Sequence, residues 1–510
     1  GITVDNSSAE MHTTIYAISE SPRNAQVIWV GTDDGNVQLT RDGGKTWTNT
    51  VRKLKGLPPA SWVSSVEASR FDAATAYVTF DRHNAGDMNP HAYKTTDFGQ
   101  TWTRIVAADQ GVRGYAHVLK EDSVQSNLLY LGTEFGLYIS ADGGGHWAEF
   151  KGGNFPSVAV RDIALQDRDQ DLVLGTHGRG IWIIDDISPL RQLSAGVLDG
   201  EASFLPGPAV QQRYDGNGGW SEGDAKFSGQ NPQGGAVITY YQKTRHLFGP
   251  IKLEILDAAG KLIDTIPASK RRGINRVSWS MRVAPPRTPK AAQVAFNSIQ
   301  GPRVPPGIYS VRLTKGKAVY DSKLEIVLDR RATFNAADRQ AQFDAVMQVH
   351  ALFGDMTTLH DRIQFARKQA ESQSAALGAK DALKKRLSDF AQAAETVRKQ
   401  IVATKEGGAI TGEERIREHT DNLYGALMSY EGRPAPYQIE RYQVLKRELD
   451  DIAKAFQTLS DQSLPAINAE LAKRKLPVIG SAAPAAPQAD LSSGEIRHAF
   501  ALVVGQSTAR

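Results

Sequence analysis

Between residues 13 and 190 short apolar runs alternate with turn residues, and the runs come in groups of four. Thr14-Ile15-Tyr16-Ala17-Ile18 is followed by Val27 to Thr32, Val37 to Thr40 and Trp47-Thr48. A second group reads Val63 to Ala68, Ala76 to Phe80, Ala92 to Thr95 and Trp102 to Val106. A third reads Tyr115 to Leu119, Leu128 to Gly132, Leu137 to Ser140 and Trp147 to Phe150. A fourth keeps the runs Val160 to Leu165, Leu172 to Gly175 and Ile181 to Ile184. Runs of this length, bounded by Gly, Asp and Asn, predict strands. Four strands per repeat predict the blades of a β-propeller.

One phrase punctuates the first three groups: Ser/Thr-x-Asp-x-Gly-x-Thr/His-Trp. It stands at Thr40 to Trp47, Thr95 to Trp102 and Ser140 to Trp147. Asp accepts hydrogen bonds from backbone amides just downstream, and Gly takes the positive φ of a tight turn. The Trp opens the next strand and packs its ring by the turn. The phrase is therefore read as a structural turn, and Asp42, Asp97 and Asp142 are poor candidates for catalytic carboxylates. It resembles the Asp-box of sialidases, of the sortilin family and of xyloglucan-cleaving propellers.

The period stops after Asp185-Asp186-Ile187. Residues 201–235 are rich in Gly, Pro and Gln and predict loop with an edge strand. Ile251 to Leu256 alternates apolar and polar residues, and Asp257-Ala258-Ala259-Gly260 turns it into Lys261 to Ile266. Further runs around Trp279, Ile308 to Leu313 and Ala318 to Leu328 predict a small β-sandwich, Ig-like or fibronectin-like. From Asn335 the period becomes helical. Leu352, Met356, Leu359 and Ile363 form one stripe; Leu383, Leu387, Phe390, Ala394, Val397 and Ile401 another; Tyr442, Leu445, Leu449, Ile452, Phe456 and Leu459 a third. Thr411-Gly412-Glu413-Glu414 reads as a capping box before a shorter helix through Leu423 and Leu427. His350 and His360 are lone helix histidines. The expected class is mainly β with an α C-terminal region. The expected divisions are propeller blades over 1–195, a β-sandwich over 196–332, a helical bundle over 333–478, and an Ala/Pro-rich linker with a C-terminal segment over 479–510.

Composition removes whole classes of function. The 60 basic and 56 acidic residues leave a net charge of +4, too balanced for an argument toward nucleic acid. Cysteine is absent, so there is no disulfide, no thiolate metal site and no cysteine nucleophile. No apolar run is long enough to span a bilayer as a helix. Nothing in the sequence predicts a cofactor or a metal site. Asn6-Ser7-Ser8 matches the glycosylation acceptor pattern.

The order of parts carries a resemblance. Val30-Gly31-Thr32-Asp33-Asp34-Gly35 leads to the first box, and Gly175-Thr176-His177-Gly178-Arg179-Gly180-Ile181-Trp182 ends the blades. The β region with Pro306-Gly307-Ile308-Tyr309 and the helices follow. Together these resemble the C-terminal half of large bacterial sortilin-like proteins with BNR/Asp-box repeats, often labelled glycosyl hydrolases. The resemblance implies a longer precursor with a signal peptide, hence a periplasmic or extracellular place. It also implies upstream blades, as an N-terminal fragment or a partner chain, with a complete four-bladed propeller as the alternative. The helical heptads allow a homo-oligomer as well as an intramolecular bundle.

The turn between the second and third run of each group carries ionisable residues: Asp33 and Asp34, then Asp81, Arg82 and His83, then Glu134, then His177 and Arg179. Polar groups converging on one rim suit a ligand site. Two readings stay open. In one, the rim binds an extended polar ligand, a glycan or a peptide, through Asp33, Arg82, His83, His177 and Arg179, or serves as an assembly scaffold. In the other, the protein is a glycoside hydrolase in which Asp34 and Glu134 form the carboxylate pair.

Overall fold

The computed structural model describes residues 13–152, 154–213, 234–406 and 413–480. The chain forms two compact units, one of residues 1–207 with 239–243, the other of residues 208–238 with 244–510.

Four antiparallel sheets make up the first unit. The first holds β1 (Ile15–Ser21), β2 (Asn24–Thr32), β3 (Val37–Thr40) and β4 (Thr48–Asn49), neighbours in that order. The second holds β5 (Trp62–Ala68), β6 (Ala76–Asp81), β7 (His91–Thr95) and β8 (Thr103–Val106). The third holds β9 (Ala116–Glu121), β10 (Leu129–Thr133), β11 (Gly136–Ser140) and β12 (Ala148–Glu149). The fourth has three strands, β13 (Val160–Gln166), β14 (Asp171–Thr176) and β15 (Ile181–Ile184). Each pairs sequential neighbours only, as short tight turns dictate. Alternation gives each sheet two faces, and apolar layers fill the spaces between sheets. Trp29, Val37 and Leu39 meet Val63, Val66, Val78 and Phe80 between the first two sheets. Tyr77, Ala92 and Ile105 meet Ala116, Leu119, Leu131 and Tyr138 between the next two. Val118, Tyr130 and Leu137 meet Val160, Ile163, Leu172 and Leu174 between the last two.

The three Ser/Thr-x-Asp-x-Gly-x-Thr/His-Trp turns join the third strand to the fourth and share one set of hydrogen bonds. Asp42, Asp97 and Asp142 each accept from the preceding Thr40, Thr95 or Ser140 hydroxyl at 2.8 Å. Each also accepts the backbone N–H of residue i+4, at 2.9, 2.8 and 2.9 Å. The hydroxyl in turn accepts the N–H of Gly44, Gly99 or Gly144 at 2.9 Å. Hydrogen bonding from the Thr46 side chain holds Asp42 down at about 2, and Thr101 lowers Asp97 in the same way.

After helix α1 (Ala195–Asp199) comes β16 (Ala202–Phe204). Strand β17 (Val210–Gln212) opens the second unit, and residues 240–242 of β18 (Ala236–Gln242) return to pair with β16. Strands β19 (Ile251–Leu256), β20 (Leu262–Ile266), β21 (Gly273–Trp279), β22 (Gly307–Lys315) and β23 (Ala318–Leu328) follow. The order β17-β23-β22-β19-β20 makes a five-stranded sheet, with β17 parallel to β23. Trp279 of β21 meets Tyr309 of β22 edge to face at 5.8 Å, both rings buried.

Helices α2 (Ala336–Ala375), α3 (Ala382–Ile401), α4 (Ile416–Met428) and α5 (Pro436–Lys473) form the C-terminal bundle. Its core takes the stripes read from the sequence: Leu352, Met356 and Ile363, Leu387 and Phe390, and Leu445, Leu449 and Phe456 are all buried together. Asn335 caps α2 by accepting the N–H of Asp338 at 3.0 Å. Thr411 and Gly412 of the expected capping box lie outside the described residues. Glu413 accepts the N–H groups of Thr404 and Lys405 at 2.8 and 2.9 Å. Polar ties join the bundle to the β residues of this unit. Asp421 accepts from Asn297 N and Ser298 N, and Arg417 donates to the Gln293 carbonyl. His350 lies beside the Ala284 carbonyl at 3.1 Å, and burial lowers its pKa. Among the described residues no helix is long and apolar enough to cross a membrane. The stretches 214–233 and 481–510, with the expected C-terminal linker, and Asn6-Ser7-Ser8 lie outside the described residues.

Candidate functional site

The first strand of every sheet in the first unit carries the same irregularity. Pairing with the second strand runs Ile15↔Thr32 and then Ala17↔Gly31, so Tyr16 is skipped. It runs Val63↔Phe80 and then Ser65↔Thr79, skipping Ser64. It skips His117 between Ala116↔Thr133 and Val118↔Gly132, and Arg161 between Val160↔Thr176 and Asp162↔Gly175. A β-bulge leaves one residue unpaired, kinks the strand and re-aims its side chain. Here four bulges at one register position present Tyr16, Ser64, His117 and Arg161. The residue paired just beyond the bulge is Gly31, Gly132 or Gly175, except in the second sheet. A Cβ on Gly31 would stand 2.3 Å from Val63 Cγ1, and one on Gly132 would stand 2.6 Å from the Val160 carbonyl oxygen. The first strands crowd together at the bulges. Thr79 takes the glycine's place in the second sheet. Its hydroxyl lies 3.0 Å from Ser64 Oγ and donates to the His117 carbonyl at 2.9 Å.

Around these bulges a polar and aromatic cluster draws on all four sheets. Its hub is Asp81, at the end of β6, with a fully buried side chain. Asp81 Oδ1 accepts the His83 backbone N–H at 3.0 Å and lies 2.6 Å from His83 Nδ1. Asp81 Oδ2 lies 3.0 Å from His117 Nδ1 and 3.4 Å from Arg161 Nη1. Burial alone would raise the Asp81 pKa, but hydrogen bonds from His117 and His83 outweigh it and hold the group below the usual carboxylate range. His117 Nδ1 also lies 3.0 Å from Arg161 Nη1. Arg161 can only donate, so Nδ1 either accepts from Arg161 or carries the proton for Asp81; one atom cannot do both at once. Arg161 Nη2 donates to the Tyr115 hydroxyl at 2.6 Å, and that hydroxyl donates to Glu134. Burial, then the Glu134 hydrogen bond, pushes the Tyr115 pKa up. His83 stacks on Tyr115 at 4.8 Å. Trp62 meets Tyr16 at 4.7 Å and His117 at 5.8 Å, edge to face in both cases.

Two of the residues expected at a site join this cluster, His83 and Glu134. Asp33 accepts the backbone N–H groups of Thr13 and Thr14 at 2.8 Å and so anchors the start of β1. Asp34 accepts from the Thr32 hydroxyl and, at 2.9 Å, from Asn36 Nδ2, all within one turn. Arg82 donates to Ser61 Oγ at 2.7 Å and pairs with Asp87 at 3.3 Å. His177 and Arg179 are exposed in the turn after β14. Tyr16, Trp62, His117 and Arg161 lie in first strands, and Tyr115 just before one, so a search of the rim turns does not find them.

Asp81 is sealed in by its partners and positions the others. Tyr16, His83, Glu134 and Arg161 keep part of their surface open. The cluster therefore offers a cation, a carboxylate, an imidazole and aromatic rings side by side. Among the described residues no group of three or more His, Asp or Glu side chains is placed to hold a metal ion.

No family model matches the chain. An oligoxyloglucan-reducing end-specific xyloglucanase of Emericella nidulans is 28% identical over 160 residues, covering 29% of this chain and 19% of that protein. The chain thus spans about a fifth of the length of that curated relative. Among solved structures, a YCF48 protein bound to a D1 peptide matches 34% of this chain and 50% of its own, at 20% identity and a TM-score of 0.27. A GH74 xyloglucanase from Xanthomonas campestris matches 66% of this chain and 48% of its own, at 12% identity and a TM-score of 0.29. These are distant likenesses to β-rich proteins.

Proposed function

We propose that the four sheets are blades of an Asp-box β-propeller and that the bulge cluster binds an extended polar ligand, a glycan before a peptide. The observation that carries this reading is the repeated bulge. One backbone device occurs four times, and each time it presents a different side chain at the same register position. Packing alone asks for like residues at like positions; four unlike polar or aromatic ones suit a ligand with unlike parts. Tyr16 offers a ring face on which a sugar can stack, and Arg161, His83 and Glu134 offer donors and an acceptor for hydroxyl groups. The name of the Emericella nidulans relative suggests xyloglucan oligosaccharides as the first ligands to try. His177, Arg179, Asp33 and Arg82 then form an outer rim. The β residues of the second unit are read as an Ig-like sandwich that, with the helices, serves assembly. A periplasmic or extracellular place accords with a glycan ligand.

A second reading, a glycoside hydrolase with Asp34 and Glu134 as its acid pair, draws on the xyloglucanase likeness. It asks those carboxylates to leave hydrogen bonds they make within their own turn or with Tyr115. Binding asks for no such change, and we prefer it.

Calorimetric titration with xyloglucan oligosaccharides and with a panel of acidic and basic peptides tests the proposal. Arg161→Ala should weaken glycan binding about tenfold or more, the worth of a charged hydrogen bond. Tyr16→Ala should weaken it less. Saturable binding by peptides alone would replace the glycan reading. Glycan affinity unmoved by both substitutions would remove the cluster from it. Turnover of the oligosaccharide, lost in Glu134→Gln with binding kept, would establish the hydrolase.

A further inference from the structure

The second unit presents two adjacent apolar side chains on one loop. Leu247 and Phe248, between β18 and β19, are 64% and 87% exposed. The loop is tied on both sides of the pair. Before it, the buried His246 donates its backbone N–H to the Lys270 carbonyl at 3.0 Å, and its ring Nε2 lies 3.0 Å from the Gly249 carbonyl. After it, the Pro250 carbonyl accepts the Gly316 N–H at 2.9 Å. Gly249, at φ +84°, makes the reversal between these ties. Leu247 and Phe248 are therefore held outward.

The same ties bring two further loops beside the pair. Residues 267–273 join β20 to β21, and the buried Asn275 shapes them by donating to the Arg271 and Gly273 carbonyls, both at 2.9 Å. Lys315, Gly316 and Lys317 turn β22 into β23. Residues 244–250, 267–273 and 315–317 together hold six basic residues, Arg245, Lys270, Arg271, Arg272, Lys315 and Lys317, and no Asp or Glu. The whole chain is near balance, with 60 basic and 56 acidic residues, so the positive charge is concentrated at this end. Arg245, Lys270, Arg272 and Lys317 have no ion-pair partner among the described residues.

We propose that this end of the second unit docks on an anionic lipid bilayer. Leu247 and Phe248 enter the acyl boundary, and the basic side chains lie at the level of the headgroup phosphates. Such an interface asks for both parts at once, apolar side chains to bury and cations close beside them. A nucleic acid meets the charge but offers no apolar medium to Leu247 and Phe248. A second copy of this chain, set end to end, would bring six cations against six. The projecting pair also suits a fluid layer, which needs no preformed pocket to receive it. This inference involves neither the bulge cluster nor its ligand, and stands or falls separately from that reading.

Flotation of the full chain with vesicles tests it, using phosphatidylcholine alone and phosphatidylcholine with phosphatidylglycerol in equal parts. Retention is expected on the anionic vesicles only, weakening as salt rises. Lys270→Ala with Arg272→Ala should weaken it roughly twenty-five-fold, about fivefold for each cation. Leu247→Ser with Phe248→Ser should weaken it about tenfold or more. All four positions are exposed, and a melting curve checks that the fold is kept. A second readout follows the insertion itself. The chain has no cysteine, so Phe248→Cys takes an environment-sensitive dye at one place. Ala259→Cys, in the turn at the other end of β19, is the control. On anionic vesicles the dye at 248 should shift to the blue and the dye at 259 should not. Absence of retention overturns the proposal, and so does a dye at 248 that stays in water. Retention that the two serine substitutions leave unchanged also overturns it, and would mark a surface for a soluble polyanion, a nucleic acid or an acidic protein.

Discussion

The two ends of the β-repeat unit are built on opposite plans. At the aspartate-turn end, three turns repeat one network to within 0.1 Å in their shared hydrogen bonds, with His146 replacing a threonine in the third. At the bulge end, the backbone repeats just as faithfully while the side chains diverge: Tyr16, Ser64, His117 and Arg161. Where both levels repeat, turn chemistry explains everything present. Where only the backbone repeats, the side chains answer to something other than the fold. The sequence motif that is easiest to see therefore marks the scaffold, and the candidate site sits where the motif is absent.

The sharpest way to break this comparison is to remove the hub. Asp81→Ala would leave the buried His117 and the part-exposed His83 and Arg161 without their shared acceptor. Breaking a buried ion pair from one side costs about 3–5 kcal/mol. A drop of that size in denaturant melts of the whole chain is expected, with binding lost as well. A small drop would mean that the cluster is solvated and its side chains loosely held. Next in size is Gly132→Ala. Its Cβ would stand 2.6 Å from the Val160 carbonyl oxygen, where backbone cannot yield cheaply. Overpacking of this kind costs about 1–3 kcal/mol. If Gly132→Ala melts like the native chain, close approach of the first strands is not what the bulge geometry requires.

The strands, the helical stripes and the box turns were legible because each rests on a local period or a local hydrogen bond. Leu352, Met356 and Ile363 could face only one way along a helix, and Asp42 could serve only its own turn. The site was less legible. His83 and Glu134 were in view, but the turns were read as the site, whereas Asp33 and Asp34 are taken up locally. A signal for the rest was present in the spacing. Ile15 and Ile18, Val63 and Val66, Ala116 and Leu119, and Val160 and Ile163 stand three apart where alternation asks for two. A strand that breaks its period at the same point four times has a bulge there. What no local pattern could supply is the meeting of Asp81, His117 and Arg161 across three sheets.

The smallest expected effect probes the repeated end. Asp42, Asp97 and Asp142 all titrate below the ordinary carboxylate value, Asp42 at about 2 against 3.8. A carboxylate with a depressed folded pKa contributes stability that is fully present above its unfolded value and is lost as the pH falls through its folded value. The chain should therefore lose stability between about pH 4 and about pH 2, and each box should contribute to that slope. Replacing one box aspartate by asparagine should lower the melting temperature slightly at neutral pH and make the acid slope shallower. Asp42→Asn and Asp97→Asn, whose networks coincide, should give nearly the same change, whereas Asp142→Asn also removes a contact with the His146 ring that stands in place of a threonine hydroxyl. Equal effects of the first two would confirm turns that serve only the fold. A change in ligand binding on replacing any box aspartate, or a clear difference between Asp42→Asn and Asp97→Asn, would show that the scaffold end also carries function, and the contrast between the two ends would fail.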